Sequence, residues 1–286
     1  MPSLIDIRRR IRSVRNTQQI TRAMKIVAAA KLRRAQDRVL AARPYAAMLR
    51  GLLSNVARAV TMDERLGSHP WLARRPEQRI QLLLLTSDRG LAGAFNSNLI
   101  KGAQRFLQER SGSVVELELI GRKGRDFYRK RKAAISGEHI GVFQKVEYAE
   151  AAAVGQKVSL RFRRAEIDAV YLLFNEFRSV LRQEVTLRRV LPVELPQAVA
   201  GIDYIWEQPP IEMLESLLPR YVEIAVYQAM LESAAAEHAA RMTAMDAATS
   251  NAEDMIDRLT LYMNRVRQAS ITKEIIEVVS GASALE

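Results

Sequence analysis

Residues 86–96, "TSDRGLAGAFN", follow the apolar run "IQLLLL" and precede a polar, helix-like stretch. A strand, a glycine turn and a helix start in that order are where open α/β sheets bind phosphates, because the backbone can approach the ligand and the helix offers free N–H groups. The spacing here is different. Gly90 and Gly93 give G-x-x-G, whereas a dinucleotide site needs G-x-G-x-x-G and a P-loop needs G-x-x-x-x-G-K-S/T, and neither occurs in the chain. The simpler expectation is that both glycines take positive φ and that Asn96 or Ser97 caps the helix. Asp88 beside Arg89 offers acid–base chemistry on paper, but an Asp–Arg pair holding the turn is the reading we prefer. His69, His139 and His238 are far apart and match no metal-ligand spacing. His69, in the loop "GSHP", is expected to be solvated, and His238 to be a partly buried helix residue. No G-x-S-x-G elbow positions a serine nucleophile. The residues therefore offer no catalytic constellation, metal site or cofactor site.

The elements around them are those of an ordered chain. Its 286 residues are 48% hydrophobic with only 9 Pro and 13 Gly, enough for one substantial core or two smaller ones. Cysteine is absent, which excludes disulfides and thiolate chemistry and fits a reducing compartment. No apolar stretch reaches the ~18 residues needed to span a bilayer, and the start lacks a secretory h-region. The net charge of +12 is concentrated in residues 1–79, which hold 18 Lys and Arg against 5 Asp and Glu. Such a basic arm points to an acidic partner: nucleic acid, a lipid surface or an acidic protein patch.

From Leu4, alternate steps of three and four residues reach Ile7, Ile11, Val14, Gln18, Thr21, Lys25, Ala28, Leu32, Ala35, Val39, Ala42, Ala46, Leu49, Leu53, Val56 and Val60. That heptad seam predicts a helix on the order of 85 Å long, paired in a left-handed supercoil. Pro44 predicts a kink or a break near residues 41–44. A second seam runs from Leu214 to Val266. Two single seams far apart in one chain satisfy each other as an antiparallel pair, with the intervening residues forming a separate unit. Gln18, Thr21 and Lys25 lie in the first seam, where polar residues fix register, and this favours a long protein contact. Most of the arginines fall outside the seam, as on a solvated face.

After Val266 the phase slips. Ile271, Ile275, Ile276, Val278 and Val279 spread apolar surface over more than one face, which one partner helix cannot cover, so this tip is expected to be enclosed by something else. Between the helices, residues 79–87, 114–121, 166–175 and 184–193 read as strands, alternating with helices near 96–110, 122–132 and 147–164. The predicted fold is thus α/β: a long antiparallel coiled coil of the terminal helices with an inserted small domain built on a mostly parallel sheet. The segments are 1–61, 76–195 and 209–286, with a Pro-containing linker over 191–210.

Three stretches, residues 16–38, 87–96 and 241–285, closely resemble the gamma chain of F-type rotary ATP synthases; the last, "RMTAMDAATSNAEDMIDRLTLYMNRVRQASITKEIIEVVSGASAL", is the most specific. The resemblance implies that the terminal helices form the central stalk, with the tip in an apolar sleeve of a hexamer of alpha and beta chains. It implies an α/β domain directed toward the membrane, bound to the epsilon chain and the ring of membrane c chains. It further implies one copy per complex, a rotor role without catalysis, no cofactor, no nucleic acid, and a peripheral place on the cytoplasmic face of a bacterial plasma membrane. Arg267 and Gln268 match the family's basic–amide pair that engages a beta-chain loop, and Met24, Lys25 and Lys31 match its N-terminal contact region. The loop with Ser87, Asp88, Arg89, Gly90 and Gly93 matches "SDRGLCG" except at Ala92, which stands where many members carry cysteine. Its implied role is to position the domain beside the hexamer's lower edge. Two alternatives remain from the residues alone: a coiled-coil nucleic-acid binder, with steeply salt-dependent binding, and a nucleotide-dependent enzyme using residues 86–96.

Overall fold

The computed structural model describes residues 3–60, 69–195 and 206–283. Its elements are α1 (Leu4–Ala59), β1 (Arg79–Leu85), α2 (Phe95–Glu109), β2 (Val114–Ile120), α3 (Arg122–Arg129), β3 (Ile135–His139), α4 (Tyr148–Arg163), β4 (Ala169–Phe177), β5 (Gln183–Leu191) and α5 (Pro210–Ser283). The chain divides into two compact units, one of Met1–Ala28 with Met242–Glu286 and the other of Ala29–Arg241. The α/β fold expected from the sequence, with long terminal helices around a mostly parallel sheet, is the one observed. Residues 61 and 196–205, where the end of the N-terminal segment and half of the linker were expected, lie outside the described residues.

In the first unit, Ser3 starts α1. Its hydroxyl accepts the Asp6 N–H at 3.2 Å, and the Asp6 carboxylate accepts the Ser3 N–H at 3.3 Å, a reciprocal cap that satisfies two orphan donors. The Ser3 hydroxyl also donates to the Asp6 carboxylate at 2.8 Å, and this bond, with that from the Ser3 N–H, holds the Asp6 pKa below its usual value. The α1 and α5 stretches of this unit run antiparallel, since Lys25 meets Asp246 and Thr21 meets Thr249. Ile7, Ala28, Met245 and Ala252 are the buried apolar rungs.

The second unit holds the sheet, in the order β3-β2-β1-β4-β5. The first four strands are parallel, while β5 pairs antiparallel with β4 through a short turn. From Ile80 onward strand β1 is apolar except for Gln81, because Ile80–Leu85 are buried on both faces, the condition of a central parallel strand. Helix α2 turns Phe95, Leu99, Ala103 and Phe106 inward at helical spacing. In α4, Gly155 lets the helix press against α5, where an added Cβ would sit 3.1 Å from the Glu223 Cα. Residues 229–237 of α5 are buried on every side, and they are mostly Ala and Ser, with Met230 and Leu231, so neighbouring elements can approach closely.

Three expectations are corrected here. Helix α1 continues through Pro44, so of the two outcomes expected there, a kink or a break, the break does not occur. Both Pro44 and Leu40, whose carbonyl loses its partner, are exposed, so water can replace the missing bond. His69 is not solvated but 4% exposed, with neither ring nitrogen hydrogen-bonded among the described residues; it opens a tight turn in which the Leu72 N–H donates to the His69 carbonyl, and Trp71 in the same turn is also buried. Burial lowers its pKa, as expected for an imidazole taken out of water. Finally, β3 was not foreseen, because "ISGEH" has neither apolar alternation nor a long hydrophobic run.

Strand β3 exists through a buried polar cluster. Glu118 on β2, fully buried, accepts hydrogen bonds from Lys157 at 2.8 and 2.9 Å, Ser136 at 2.8 Å and Gln81 at 2.9 Å, and contacts the His139 ring at 2.7 Å. Gly137 must be glycine here, because a Cβ would lie 2.2 Å from a Glu118 carboxylate oxygen. Burial pushes the Glu118 carboxyl up, but bonds from His139, Lys157 and Ser136 outweigh it and bring the pKa down to about 2. A folded-state pKa below the unfolded one stabilises the protein above the unfolded value, and that stabilisation is lost as pH falls through the folded value. Urea unfolding should therefore show stability dropping by at most about 3 kcal/mol as pH falls from the unfolded carboxylate range to about 2, and Glu118→Gln should flatten this slope. Gly121 has φ of +101°, and an added Cβ would lie 2.0 Å from the Thr86 carbonyl oxygen. Gly121→Ala should cost on the order of 3 kcal/mol or more in the same assay.

Candidate functional site

The contact residues implied by the resemblance fall in both units. In the first, every seam position of both helices is buried or half-buried. The rungs Thr21–Thr249 and Lys25–Asp246 set the register, and by that register α1, starting at Leu4, is exhausted level with about residue 266 of α5. Beyond that point, among the described residues, no helix of this unit accompanies α5. Arg267 and Gln268 are exposed, and all of residues 271–280 are exposed, with Ile271, Ile275, Ile276, Val278 and Val279 between 49% and 73% accessible. Five branched apolar side chains in a ten-residue stretch, bare on all faces of a helix, form an apolar contact surface.

Met24 is half-buried. The Lys25 ammonium is held by Asp246 at 2.5 Å, while the Thr21 and Thr249 hydroxyls share a bond at 2.8 Å and Thr249 also donates to the Met245 carbonyl. The polar seam residues thus meet polar partners across the helix pair, as a register device requires. Residues 25 and 267 lie some twenty residues apart along the helix pair, so Lys25 and Arg267 mark separate contact regions and not one site.

In the second unit, Lys31 is exposed and lines an open groove with Arg34, Arg38, Phe143, Leu231 and His238. Burial drives the His238 pKa down to about 4, and the nearby Arg241 and Lys31 charges act in the same direction.

The loop after β1 belongs to this unit and differs from expectation in three ways. Positive φ falls on Leu91 (+62°) and Gly93 (+54°), not on Gly90. Neither Asn96 nor Ser97 caps α2: the helix has no side-chain cap, the Asn96 carboxamide reaches back to accept the Ser87 N–H at 2.9 Å, and Ser97 donates to the Ala94 carbonyl. Asp88 does not hold the turn by pairing with Arg89. Its carboxylate accepts the Arg122 N–H at 3.0 Å and the Gly141 N–H at 3.1 Å, anchoring the loop to the start of α3 and to the segment after β3. A short carboxylate reaching two backbone donors is legible only once the tertiary fold brings them together.

Residues that the sequence did not single out complete the loop. Arg241 on α5 is 11% exposed, and its Nη2 lies 2.7 Å from Glu237, 3.3 Å from the Gly90 carbonyl and 3.5 Å from the Arg89 carbonyl. Burial raises the Glu237 pKa against the opposing charge of Arg241. Glu232, also raised by burial, accepts the Phe177 N–H at 3.1 Å. Because the N–H of Ser87 and both oxygens of Asp88 are already engaged, the turn is a braced scaffold and not an open cradle. Ala92 is buried within it. Among the described residues no group of His, Cys, Asp and Glu could hold a metal, and no helix is long and apolar enough to cross a membrane.

A family model described as ATP synthase matches residues 3–285. The chain is 66% identical over 286 residues to the ATP synthase gamma chain of Solibacter usitatus, and 49% identical to that of Desulfitobacterium hafniense, with the whole of both chains aligned in each case. Among solved structures it resembles a chain of the Tetrahymena thermophila mitochondrial ATP synthase central stalk and c-ring, at 26% identity and TM-score 0.63, over 80% of this chain and 99% of that one. A chain of the Euglena gracilis mitochondrial ATP synthase shares the fold at TM-score 0.68 and 19% identity, over 99% and 94% of the two chains.

The Lys25–Asp246 pair is 40% and 60% exposed and therefore weak. A double-mutant cycle by thermal unfolding should give a coupling below about 1 kcal/mol, with Lys25→Asp destabilising and the added Asp246→Lys restoring stability.

Proposed function

The chain belongs to the ATP synthase gamma-chain family, and we infer that it is the central rotor shaft of an F-type ATP synthase. It couples ion flow through the membrane ring to sequential synthesis or hydrolysis of ATP at the beta chains. It is a stalk subunit and not itself catalytic. Its partners are the alpha and beta chains of the hexamer, the epsilon chain and the c-ring. The complex places it peripherally, and our reading puts it on the cytoplasmic face of a bacterial plasma membrane.

The observation that carries the reading is the bare apolar end of α5 beyond the last rung of its helix partner. A helix end with isoleucine and valine on several faces needs a surrounding sleeve, and one partner helix cannot supply it. The exposed Arg267 and Gln268 lie at the base of that end, where our reading has them engage a beta-chain loop. Met24, Lys25 and Lys31 form the N-terminal contact region, and the basic face of α1 meets acidic beta-chain segments. The braced turn with Ser87, Asp88, Arg89, Gly90 and Gly93 positions the α/β domain at the hexamer's lower edge.

Mechanism follows from asymmetry. One shaft offers different surfaces to three otherwise equivalent catalytic sites, and only such differential contacts can give the sites different nucleotide affinities. Rotation moves each surface to the next site, so the affinities change in sequence.

Reconstitution with alpha and beta chains tests this. The full chain should assemble into an active ATPase, and truncation after Val266 should abolish sustained torque in single-molecule rotation. Arg267→Ala removes a charge-assisted bond worth about 1.5–3 kcal/mol and should lower torque while leaving assembly intact. A chain that never joins the hexamer, but binds duplex DNA tightly at physiological salt, would overturn the reading.

A further inference from the structure

The turn at residues 89–91 is braced unequally. Its stem is fixed within the α/β domain, by Asp88 to the Arg122 and Gly141 N–H groups and by the bonds between Ser87 and Asn96. Its apex is held by α5, where the Arg241 guanidinium reaches the carbonyls of Arg89 and Gly90. Arg241 is in turn fixed by Glu237, one helical turn earlier and almost fully buried. The apex carries Leu91 at φ +62°, a conformation that costs an L-residue on the order of 1 kcal/mol, yet the side chain is 63% exposed and gains little packing in return. A strained backbone with an exposed apolar side chain, held by a buried charge pair, is the mark of a contact prepared for another molecule.

We propose that Arg241 is a positioning residue: fixed by Glu237, it holds the 89–91 turn so that Arg89 and Leu91 meet the hexamer, and this keeps rotation coupled to catalysis. The proposal rests on the rotor reading above. Asp88 and Lys31 are the other charged groups acting on Glu237, so the clamp sits among charges of both signs on the loop, α1 and α5. Arg241 acts through the turn, by its bonds to the Arg89 and Gly90 carbonyls.

The absence of cysteine allows a single reporter. A nitroxide on Leu91→Cys in the full chain should gain about twofold in mobility when Arg241→Gln is added, and Arg241→Lys, which keeps a charged donor, should recover most of the lost restraint. With native Leu91, the complete complex in proton-tight vesicles should hydrolyse ATP normally in the Arg241→Gln variant while pumping about tenfold fewer protons per ATP, with Arg241→Lys closer to the parent. A label equally restrained with and without Arg241 overturns the clamp, whether or not the variant assembles. A loosened label with unchanged pumping per ATP overturns its role in coupling. If the parent chain itself gave no active complex, the rotor reading would fail, and the label would still decide the clamp.

Discussion

The structure depends on one constraint: an apolar stripe repeating every 3.5 residues cannot be buried by the helix that carries it. Each of the two long helices brings such a stripe, and within each unit the two stretches face one another antiparallel, through Thr21–Thr249 and Lys25–Asp246 in the first and with Arg43 near Glu232 and Leu49 near Tyr221 in the second. Apolar rungs supply the stability of that pairing, and the polar rungs at Thr21 and Lys25 select its register. Register is what a shaft needs most. A slip by one heptad would move every outward side chain by about 10 Å along the axis and misplace each contact with the surrounding chains.

The same helix is used differently along its length. Between residues 242 and 266 α5 buries a single stripe, whereas from 229 to 237 it is enclosed on all sides and carries Glu232 and Glu237 into that enclosure. Buried carboxylates are costly unless partnered, and here each is assigned one: a backbone N–H from β4 for Glu232 and the Arg241 guanidinium for Glu237. Glu223 similarly accepts bonds from Tyr148 and Gln156 on α4. Such directional bonds tie the α/β fold to α5 at defined points, where apolar packing alone would tolerate sliding.

Much of this was legible in the sequence because it follows from periodicity. The heptad seams, the mostly apolar strand β1 and the loss of phase after Val266 are all patterns of hydrophobic residues. What escaped depends on polar residues meeting across long sequence distances. "ISGEH" becomes a strand because Glu118 and Lys157 gather around Gly137, and Asp88 finds its donors 34 and 53 residues away. The loop's glycines misled in part: Gly93 is left-handed as expected, but the other left-handed residue is Leu91 and not Gly90, in a turn whose Arg89 and Gly90 carbonyls are held by Arg241. Arg241 itself looks like any other charge on a long helix until the loop is laid against it.

The uncovered end of α5 also bears on how the complex is put together. Isoleucine and valine side chains open to water over residues 271–280 give a free copy of this chain a sticky end that can associate with any other exposed apolar surface, including a second copy of itself. A cell that made the shaft in excess of its sleeve would accumulate aggregation-prone material, so synthesis must be matched to that of the surrounding subunits. The feature that fastens the axle into the motor thus also penalises imbalance in the supply of parts.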